Sequence, residues 1–481
     1  MAVATGVEQA LAPSHASAWT YTPGEEAVRG ARRNRLTGKN VLASIFHSIE
    51  GSGSIGYSMK AYFPSMVFLI AGASLSCETS LEAADRLDEP VRFATFNVSL
   101  YGAGAGAVAS RLLKKDDSQA AALAEIIQRV RPHVLLLNEF DYDADGALLD
   151  GFRKNYLAIA QHGSRLLSGP TEPIDFEYAY VAPSNTGKHS GFDLDRNGIV
   201  DASFGSNDYG GDCWGFGRYP GQYAMVLLSQ FPIDVDNVRT FRSFKWRDMP
   251  GARLPDDTST PAPSDWYSED ALARFPLSSK SHWDVPIQVY GRTVHVLASH
   301  PTPPTFDGPE DRNGRRNHDE IRFWTDYITP GAGGYIQDDA ARKGALPAEA
   351  DFVIMGDLNG DPHDGQSSEG IAALLASPQL AQAQTPESKG GRQQTMLQGG
   401  VNATHIGNPA HDTLDAADRR GPGNLRVDYV LPARSMKKVA SGVFWPENED
   451  GLFGLVGLHP FPSSDHRLVW VDLTWEKPPG P

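Results

Sequence analysis

Cysteine is almost absent from this 481-residue chain, which contains only Cys77 and Cys213. Two thiols cannot build a disulfide-stabilised scaffold, so that class of small fold is excluded. Positive charge is also scarce, since 43 Lys and Arg stand against 59 Asp and Glu and give a net charge of −16. This balance provides no overall positive field, which argues against a stable nucleic-acid scaffold. It does not exclude turnover of phosphate esters, because local arginines and a divalent cation can supply positive charge.

Long apolar runs are scarce as well. The run at residues 66–71 is too short to span a bilayer, so we expect no transmembrane span. Lys60 precedes it and small residues follow, and this order predicts a signal peptide at residues 59–77. Its cleavage would export the protein to the periplasm or the medium. As alternatives, the end of this segment loosely resembles a lipoprotein box that would anchor Cys77, or the run is a buried core segment.

The rest of the chain divides into three parts. Residues 1–58 have little apolar content and no helical or strand period, so we interpret them as disordered or as an untranslated extension. Residues 78–90 form a charged linker, and residues 91–476 carry the strand and helix patterns of one globular domain. We expect this domain to be a monomer.

Polar side chains end the first two predicted strands. Residues 91–97 predict a strand that ends at Asn97, and residues 134–139 predict a buried strand that ends at Glu139. A helix with one apolar stripe is predicted between them. Strand, helix and strand with polar groups at the strand ends is the layout in which α/β folds build sites. Glu139 could equally be a solvated residue where its strand emerges.

The clearest site signal follows the apolar run at residues 352–355, which stops at Gly356 and is followed by Asp357 and Asn359. Side chains two apart in an extended segment point the same way, so a carboxylate and an amide can converge on a phosphate or a hydrated cation. Gly356 permits a turn or a close approach to a ligand. Taken alone, this pattern is also typical of a turn that caps its own loop.

Two histidines arrive at other strand ends. A strand pair at residues 285–290 and 293–299, joined by a turn at Gly291-Arg292, delivers His300 into a proline-rich loop that stops the strand. His466 follows an acid, Asp465, and precedes the last predicted strand.

Asp428 lies at the centre of the predicted strand 425–431. A carboxylate within a buried strand needs a partner. His466 is the obvious one, because an Asp can fix the tautomer of a His and stabilise its charged form.

Two further groups allow two interpretations each. Three arginines precede the helix that carries Ile321 and Trp324. Arg312, Arg315 and Arg316 could clamp a phosphate, or they could pair with neighbouring acids. The D-x-D-x-N-G pattern that starts at Asp193 is typical of a calcium loop, but its twelfth position is Phe204 in place of Glu. It predicts either a plain acidic turn or a structural Ca²⁺ at Asp193, Asp195, Asn197 and Asp201.

Taken together, these motifs resemble the ordered series of the endonuclease/exonuclease/phosphatase superfamily, which includes deoxyribonuclease-I-like enzymes. The match spans residues 91 to 475. The motifs are Asn97, Asn138-Glu139, Ser299-His300-Pro301, Gly356-Asp357-Leu358-Asn359, Arg426-Val427-Asp428-Tyr429 and Ser464-Asp465-His466. The resemblance implies an α/β fold, a four-layer α/β sandwich of two mixed sheets packed face to face with helices outside. It also implies metal-dependent hydrolysis of phosphate esters by water.

The resemblance also implies roles. Glu139 and Asp465 would bind Mg²⁺ or Mn²⁺, with Asn97 orienting the phosphate or a metal-bound water. Among the catalytic groups, Asp357 and Asn359 would position water and phosphate. His466 would act as base or stabilise the transition state, and Asp428 would orient His466. His300 would be a candidate acid for the leaving alkoxide. Oxygen ligands without a Cys or His cluster favour a hard cation over zinc.

The sequence departs from the family pattern in one place. Abasic-site nucleases of the superfamily carry an acid two residues after the first asparagine, where this chain has Ser99. The glycine-rich residues 101–106 predict a mobile loop at the site mouth.

Three functions follow from these patterns. The first is an exported nuclease or phosphatase acting on nucleic acid or a small molecule. The second is a phospholipase or sphingomyelinase-like phosphodiesterase, which would need an exposed apolar loop such as Phe244 and Trp246 or Trp266 and Tyr267. The third is an inactive binding protein of the same fold.

Overall fold

The structure is a computed structural model that describes residues 88–161, 169–200, 202–416 and 421–475. The predicted extension, signal peptide and Cys77 lie outside the described residues, as does Asp201 of the acidic loop.

The strands follow the chain in an order close to the predicted one. They are β1 Val91–Leu100, β2 Val134–Phe140, β3 Tyr178–Tyr180, β4 Met225–Ser229, β5 Arg239–Thr240, β6 His282–Val289, β7 Arg292–Ser299, β8 Asp351–Asp357, β9 Asp428–Pro432, β10 Met436–Val443 and β11 Val469–Trp475.

The α-helices lie between these strands. They are α1 Ala107–Leu112, α2 Ser118–Val130, α3 Ala147–Phe152, α4 Asn207–Gly211, α5 Glu269–Leu272, α6 Arg312–Ile328, α7 Glu369–Leu375, α8 Lys389–Gln398 and α9 Phe453–Val456. A π-helical turn, Arg153–Leu157, continues α3. Short 3₁₀ turns lie at Val235–Asn237, Trp246–Asp248, Gly333–Tyr335, Gly400–Thr404 and Pro409–His411.

In the part of the chain that the structure describes, these strands form two sheets. One has the order β10-β11-β1-β2-β4-β3 and the other β5-β6-β7-β8-β9. Both are mixed, because β1 is parallel to β2 and β7 is parallel to β8, whereas the other neighbours are antiparallel. This arrangement confirms the predicted pair of mixed sheets.

The sheets face each other, with β1, β2 and β11 packed against β8 and β9. Helices cover their outer faces. Helix α2 begins at an N-cap, where Asp117 accepts a hydrogen bond from Ala120 N, and it buries Leu123 and Ile127. Helix α6 packs behind β7, where Trp324 Nε1 donates to Ser299 Oγ at 2.8 Å. The predicted four-layer sandwich is therefore confirmed.

Three details differ from the predictions. Strands β1 and β2 end at Leu100 and Phe140, beyond the predicted ends at Asn97 and Glu139. The β6–β7 hairpin turns one residue earlier than expected, because Val289 pairs with Arg292 and the two residues between them, Tyr290 and Gly291, both have positive φ. Such a pair forms the tight turn whose twist matches that of the strands. Asp428 opens β9 and does not lie at its centre, so its carboxylate stands at the end of the sheet.

Cys213 is buried and unoxidised. None of the helices among the described residues combines the length and apolarity needed to cross a membrane.

Candidate active site

The predicted site residues meet where β1, β2 and β8 end and β9 begins. Asn97 and Asn138 are direct partners in the β1–β2 pair, and Asp357 and Asp428 are partners in the β8–β9 pair. The main-chain N–H of Asp357 donates to Asn138 Oδ1 at 3.2 Å. This hydrogen bond joins the two sheets, so the site is built by both.

One carboxylate oxygen, Asp357 Oδ2, is the point of convergence. Asn97 Nδ2 donates to it at 3.0 Å, and Nε2 of His300 and Nε2 of His466 lie 3.4 and 3.8 Å away. The other oxygen, Asp357 Oδ1, accepts from the main-chain N–H of Asn359 at 2.9 Å. The structure thus brings together residues that lie far apart in the sequence.

His466 is held by a buried hydrogen bond to Asp428. Its Nδ1 lies 2.9 Å from Asp428 Oδ2, and its main-chain N–H donates to Ser464 Oγ at 3.0 Å. The bond at Nδ1 leaves Nε2 directed at Asp357. Asp357, Asp428 and His466 each place a ligand atom within 4.8 Å of the others.

The backbone at the site is constrained at two positions. Glu139 has a φ of 55° and Asn359 a φ of 51°. Asn tolerates this left-handed conformation, but for Glu it costs about 1 kcal/mol. The carboxylate of Glu139 lies close enough to Asn97 to accept a hydrogen bond from its side chain, which places it beside the cluster.

Gly356 is needed for packing. A Cβ at this position would lie 2.0 Å from the carbonyl oxygen of Ser299 on β7. The absence of a side chain therefore lets β8 approach β7. Of the two roles expected for this glycine, close approach is the one found, but the partner is the backbone and not a ligand.

Asp465 is oriented by two serines. Ser99, at an irregularity of β1 with a φ of 45°, donates from Oγ to Asp465 Oδ1 at 2.9 Å. Ser464 Oγ lies 3.4 Å from the same carboxylate oxygen, and it also donates to the carbonyl oxygen of Asn97 at 2.8 Å. Ser99, which stands where repair nucleases carry an acid, therefore fixes the predicted metal ligand.

Glu139 and Asp465 are the partly exposed acids of a cluster whose other acids, Asp357 and Asp428, are buried. Burial raises the pKa of Glu139 to about 7, nearby His466 counteracts the rise, and the charge of Asp465 adds to it. Carboxylates that destabilise one another's charge in this way suit a hard divalent cation. The oxygen donors of this cluster therefore suit a hard divalent cation, and the assignment of Glu139 and Asp465 as its ligands stays a prediction.

Asn97 contributes less directly to that set. Its Oδ1 accepts from the main-chain N–H of Ser99 at 3.1 Å, while its Nδ2 donates to Asp357. Both ends of the amide are thus already engaged, which fixes its orientation. One lone pair of Oδ1 is left for a water or a cation.

The pKa values of Asp357 and His466 are both shifted by burial and by each other's charge. Burial raises the pKa of Asp357 to about 6, although His466 lowers it. Burial lowers the pKa of His466, but Asp428 and Asp357 more than compensate and hold it well above the usual value. These shifts favour an ionised Asp357 beside a protonated His466.

The pKa of His300 is shifted in the direction opposite to that of His466. Burial and the charges of Lys280 and His466 hold its pKa well below the usual value, so its ring is neutral. Its Nδ1 is buried without a hydrogen-bond partner among the described residues. A neutral ring can donate a hydrogen bond from Nε2, but it is a weak proton donor.

Lys280 is a site residue that the sequence analysis missed. Its Nζ donates to the carbonyl oxygen of Pro301 at 3.3 Å, and its side chain is buried. Burial lowers its pKa, whereas the charges of Glu320, Glu139 and Asp357 raise it. No spacing pattern marks Lys280, since it stands two residues before β6 in an ordinary Ser-Lys-Ser stretch.

An aromatic pair beside Glu139 was also missed. The rings of Tyr101 and Tyr223 meet edge to face with centroids 4.6 Å apart. Burial and the charge of Glu139 raise the pKa of Tyr101, so its hydroxyl stays protonated and able to donate.

The glycine-rich segment predicted to be a mobile loop is anchored at its start. The main-chain N–H of Gly102 donates to Asp141 Oδ2 at 3.1 Å, and its carbonyl accepts from Tyr219 Oη at 3.0 Å. Gln222 Nε2 donates to the same carbonyl at 3.1 Å. These contacts fix the chain directly after Tyr101.

The three arginines have structural contacts. Arg316 is buried and donates to the carbonyl oxygens of Leu277, Pro276 and Trp214. Arg312 pairs with Glu310, and Arg315 donates to the carbonyl oxygen of Leu254. These contacts lend no support to the phosphate clamp, which stays a prediction.

The aromatic residues suggested as an exposed apolar loop are mostly core residues, so that expectation is wrong. Phe244, Trp246 and Tyr267 are buried, and Trp266 is half-buried. Trp246 Nε1 donates to Asp319 at 2.7 Å, a partner that a buried indole requires.

With this geometry in hand, the comparisons with known proteins identify the family. The model of the Endonuclease/Exonuclease/phosphatase family matches residues 94–466, most of the chain. The protein belongs to this family, whose members typically hydrolyse phosphate esters. No curated protein matches the chain.

Solved structures resemble the chain at low identity. An endonuclease/exonuclease/phosphatase from Beutenbergia cavernae DSM 12333 is 18% identical, with a TM-score of 0.40 and coverage of 80% of this chain and 72% of the other. Sphingomyelinase C from Streptomyces griseocarneus is 15% identical (TM-score 0.38; 80% and 99% covered). TDP2 from Caenorhabditis elegans is 13% identical (TM-score 0.36; 85% and 83% covered). Similarity this remote carries no conclusion about substrate.

Proposed function

We propose that the protein is a divalent-metal-dependent hydrolase of phosphate esters, acting as a nuclease or a phosphatase. The observation that carries the proposal is the convergence of Asn97, His300 and His466 on Asp357 Oδ2 in a buried cluster. A purely structural cluster has no need for two histidines of opposite charge preference around one carboxylate.

The cation would be held by Glu139 and Asp465, with Asn97 beside it. When bound, Mg²⁺ or Mn²⁺ neutralises the charge of the phosphate and so lowers the barrier to attack by water. The net negative charge of the cluster makes this compensation necessary, because an anionic substrate would otherwise be repelled.

The protein's own residues divide the remaining work. Asp357, ionised above a pKa of about 6, accepts the proton of the attacking water, and Asn359 fixes its other oxygen. His466, charged and held by Asp428, donates from Nε2 to a phosphate oxygen and stabilises the charge that grows there.

His300 and Lys280 face the same space from the second sheet. His300 is neutral in the free protein, so it donates a hydrogen bond to the ester. It becomes a general acid only when the negative charge of a bound phosphate raises its pKa. Lys280 supplies a buried positive charge beside it.

One observation favours a lipid phosphodiesterase as the second candidate. Phe306 is 85% exposed and lies on the loop that follows His300. An exposed aromatic ring on a loop that leads away from a site residue can enter a lipid surface. Phe306→Ser should then reduce hydrolysis of vesicle-bound sphingomyelin and leave hydrolysis of a soluble diester unchanged, whereas an equal effect on both would remove this candidate.

The test is hydrolysis by the purified full-length chain with Mg²⁺, Mn²⁺ or Ca²⁺ and with EDTA. Substrates are plasmid DNA, RNA, bis-p-nitrophenyl phosphate, p-nitrophenyl phosphate, inositol phosphates and sphingomyelin. Cleavage of nucleic acid establishes a nuclease, and activity limited to monoesters or to lipid establishes a phosphatase or a phospholipase. No activity with any cation would favour the binding protein.

Two variants identify the source of any activity. His466→Ala should lower kcat by about 10³-fold. His295→Ala is the matched control, because His295 also pairs with an acid, Asp284, at 2.6 Å, but lies five residues before His300 on β7. Equal losses in both variants would indicate general damage to the fold and contradict the assignment.

We also propose export through a signal peptide at residues 59–77. Mass spectrometry of the mature protein distinguishes the outcomes. A chain that has lost the apolar run and begins between residue 74, after the small residues Ala71-Gly72-Ala73, and residue 78 supports cleavage. A lipid on Cys77 supports anchoring, and an intact N-terminus in the cytoplasm contradicts export.

A further inference from the structure

We propose a second cation site, for Ca²⁺, formed by Asp193, Asp195 and Asp212 in the loop before β4. Each residue places one carboxylate oxygen within 4.8 Å of the other two. Asp193 and Asp195 are half-buried and Asp212 is fully buried. Three carboxylates at this separation repel one another unless a cation lies between them.

Asp212 provides the independent sign of a ligand. Its side chain is 0% exposed, and its Oδ2 has no hydrogen-bond partner in the described parts of the chain. Asp193 Oδ1 is likewise buried and unpaired within those parts. A buried carboxylate oxygen without a partner is unfavourable, and a cation would satisfy both.

In both Asp193 and Asp212, the carboxylate oxygen that is not left unpaired accepts a hydrogen bond from the main chain. Asp212 Oδ1 accepts from Leu194 N at 2.7 Å, and Asp193 Oδ2 accepts from Gly198 N at 2.9 Å. The two carboxylates are therefore fixed, with one oxygen used and the other left for an ion.

Asp195 is positioned by a glycine. A Cβ on Gly211 would lie 2.3 Å from Asp195 Oδ2, so any side chain there would displace this carboxylate. Gly211 directly precedes Asp212, and the two neighbours thus shape the site together.

Two cationic side chains close to the acids, Arg196 and His189, do little to neutralise them. Arg196 is directed away, to Asp257 and to the carbonyl oxygens of Asp265 and Trp266. His189 acts on Asp212 only weakly, as the last of the influences on its pKa, which burial raises. A set of carboxylate oxygens held by a loop favours Ca²⁺, which accepts flexible coordination, over Mg²⁺, which requires an octahedron, and over zinc.

The site differs from the sequence prediction in its ligands. Phe204, the twelfth position of the loop, is 67% exposed, and Asp212 supplies the missing carboxylate from eight residues further on. Asn197 Oδ1 accepts from Ile199 N at 2.7 Å, so this residue already stabilises the turn.

The ion would brace the active site without taking part in chemistry. The loop is closed by Ser190 N donating to the carbonyl of Asp212 at 2.9 Å. Two residues on, the carbonyl of Trp214 accepts from Arg316 at 2.7 Å. Upstream, Asn185 N donates to the carbonyl of Lys280 at 2.9 Å. Ordering this loop therefore steadies the backbone that carries Lys280.

The test is equilibrium dialysis of the full-length chain with ⁴⁵Ca²⁺ after treatment with EGTA. Glu139→Gln serves as the background, because it weakens the active-site cation. We expect this protein to retain one Ca²⁺ per chain, and Asp212→Asn added to it to bind at least tenfold more weakly. Asp208→Asn is the matched control, since it removes the same charge from an exposed position on the same loop.

Each result of these binding experiments either supports the Ca²⁺ site or overturns it. Equal Ca²⁺ binding by the Asp212→Asn and Asp208→Asn proteins, or tighter binding of Mg²⁺ than of Ca²⁺, would overturn the proposal. If Asp212→Asn does not fold, Gly211→Ala tests the same site by displacing Asp195. A rise in Tm with Ca²⁺ that disappears in either variant, at unchanged circular dichroism, supports it. Loss of phosphoesterase activity is not part of this test, so the two proposals can fail separately.

Discussion

Asp357 and Asp428 stand directly opposite each other at the ends of β8 and β9. Like charges in such a pair repel, and His466 relieves the repulsion, with Nδ1 2.9 Å from Asp428 and Nε2 3.8 Å from Asp357. The imidazolium therefore belongs to the free enzyme. Its positive charge compensates the two neighbouring carboxylates, and its Nε2 is also the atom that can donate a hydrogen bond to a phosphate.

Asp428→Asn should move the alkaline limb of the pH–rate profile to lower pH. Asp428 is the largest of the influences that raise the pKa of His466 against the effect of burial, so its removal lowers the pH at which the imidazolium is lost. We expect kcat at pH 7 to fall about 10²-fold. Measurement of both kcat and kcat/KM from pH 5 to 10 checks these two expectations.

The acid limb provides the internal control for that experiment. It belongs to Asp357, whose pKa of about 6 is set mainly by burial and is raised further by the charge of Asp428, so the acid limb should also move to lower pH but by a smaller amount. If activity instead rises as His466 loses its proton, then His466 is the base and the roles of the two residues are reversed.

Glu139→Gln should weaken binding of the catalytic cation while the protein stays folded. Loss of one carboxylate ligand raises the Mn²⁺ concentration for half-maximal activity, by about 10²-fold. It also relieves the repulsion from Asp465. Isothermal titration with Mn²⁺ measures the affinity without turnover, and an unchanged affinity would place the cation elsewhere.

Lys280→Met should reduce kcat by about 10²-fold without reducing stability. The ammonium is buried and its pKa is lowered mainly by burial, so replacing it with an apolar side chain of similar length removes a desolvation penalty. Thermal unfolding and kinetics on the same preparation separate the effects. A fall in Tm together with activity would mean that Lys280 is only structural.

Asp412→Asn should stabilise the protein increasingly as the pH rises. Burial, together with the charges of Asp361 and Asp364, raises the pKa of Asp412 to about 8. A folded-state pKa above the unfolded value means that the wild type loses stability between about pH 4 and 8, by at most about 1.4 kcal/mol per pH unit.

Asn does not titrate, so the difference in free energy of unfolding between variant and wild type should grow over that range and level off above it. Urea titrations at pH 5, 7 and 9 measure it. A difference independent of pH would show that Asp412 is ionised in the folded state.

The sequence was sufficient for the fold and for the residues at strand ends. Asn97, Glu139 and Asp357 follow apolar runs, and in a sandwich of two sheets such positions meet at one edge. His466 was found through the acids beside it. These signals are local, and the order of the motifs along the chain made them specific.

What the sequence did not give depends on contacts between distant segments. Lys280 joins the site because its backbone is bonded to Asn185 and its ammonium to Pro301, and no pattern records either contact. Asp212 lies well beyond Phe204, the twelfth and last position of the calcium-loop pattern. Arg316 looks like a free cation in sequence, but three carbonyl groups of other loops surround it.

The position of the last strand has a consequence for biosynthesis. β11 lies between β10 and β1, inside its sheet, and His466 directly precedes it. A ribosome must therefore deliver nearly all of the domain before β1 gains this neighbour or the cluster gains its imidazole. On the proposed function, a truncated or nascent chain that lacks this strand should show no phosphoesterase activity, and the protein should become competent only after translation has passed Trp475.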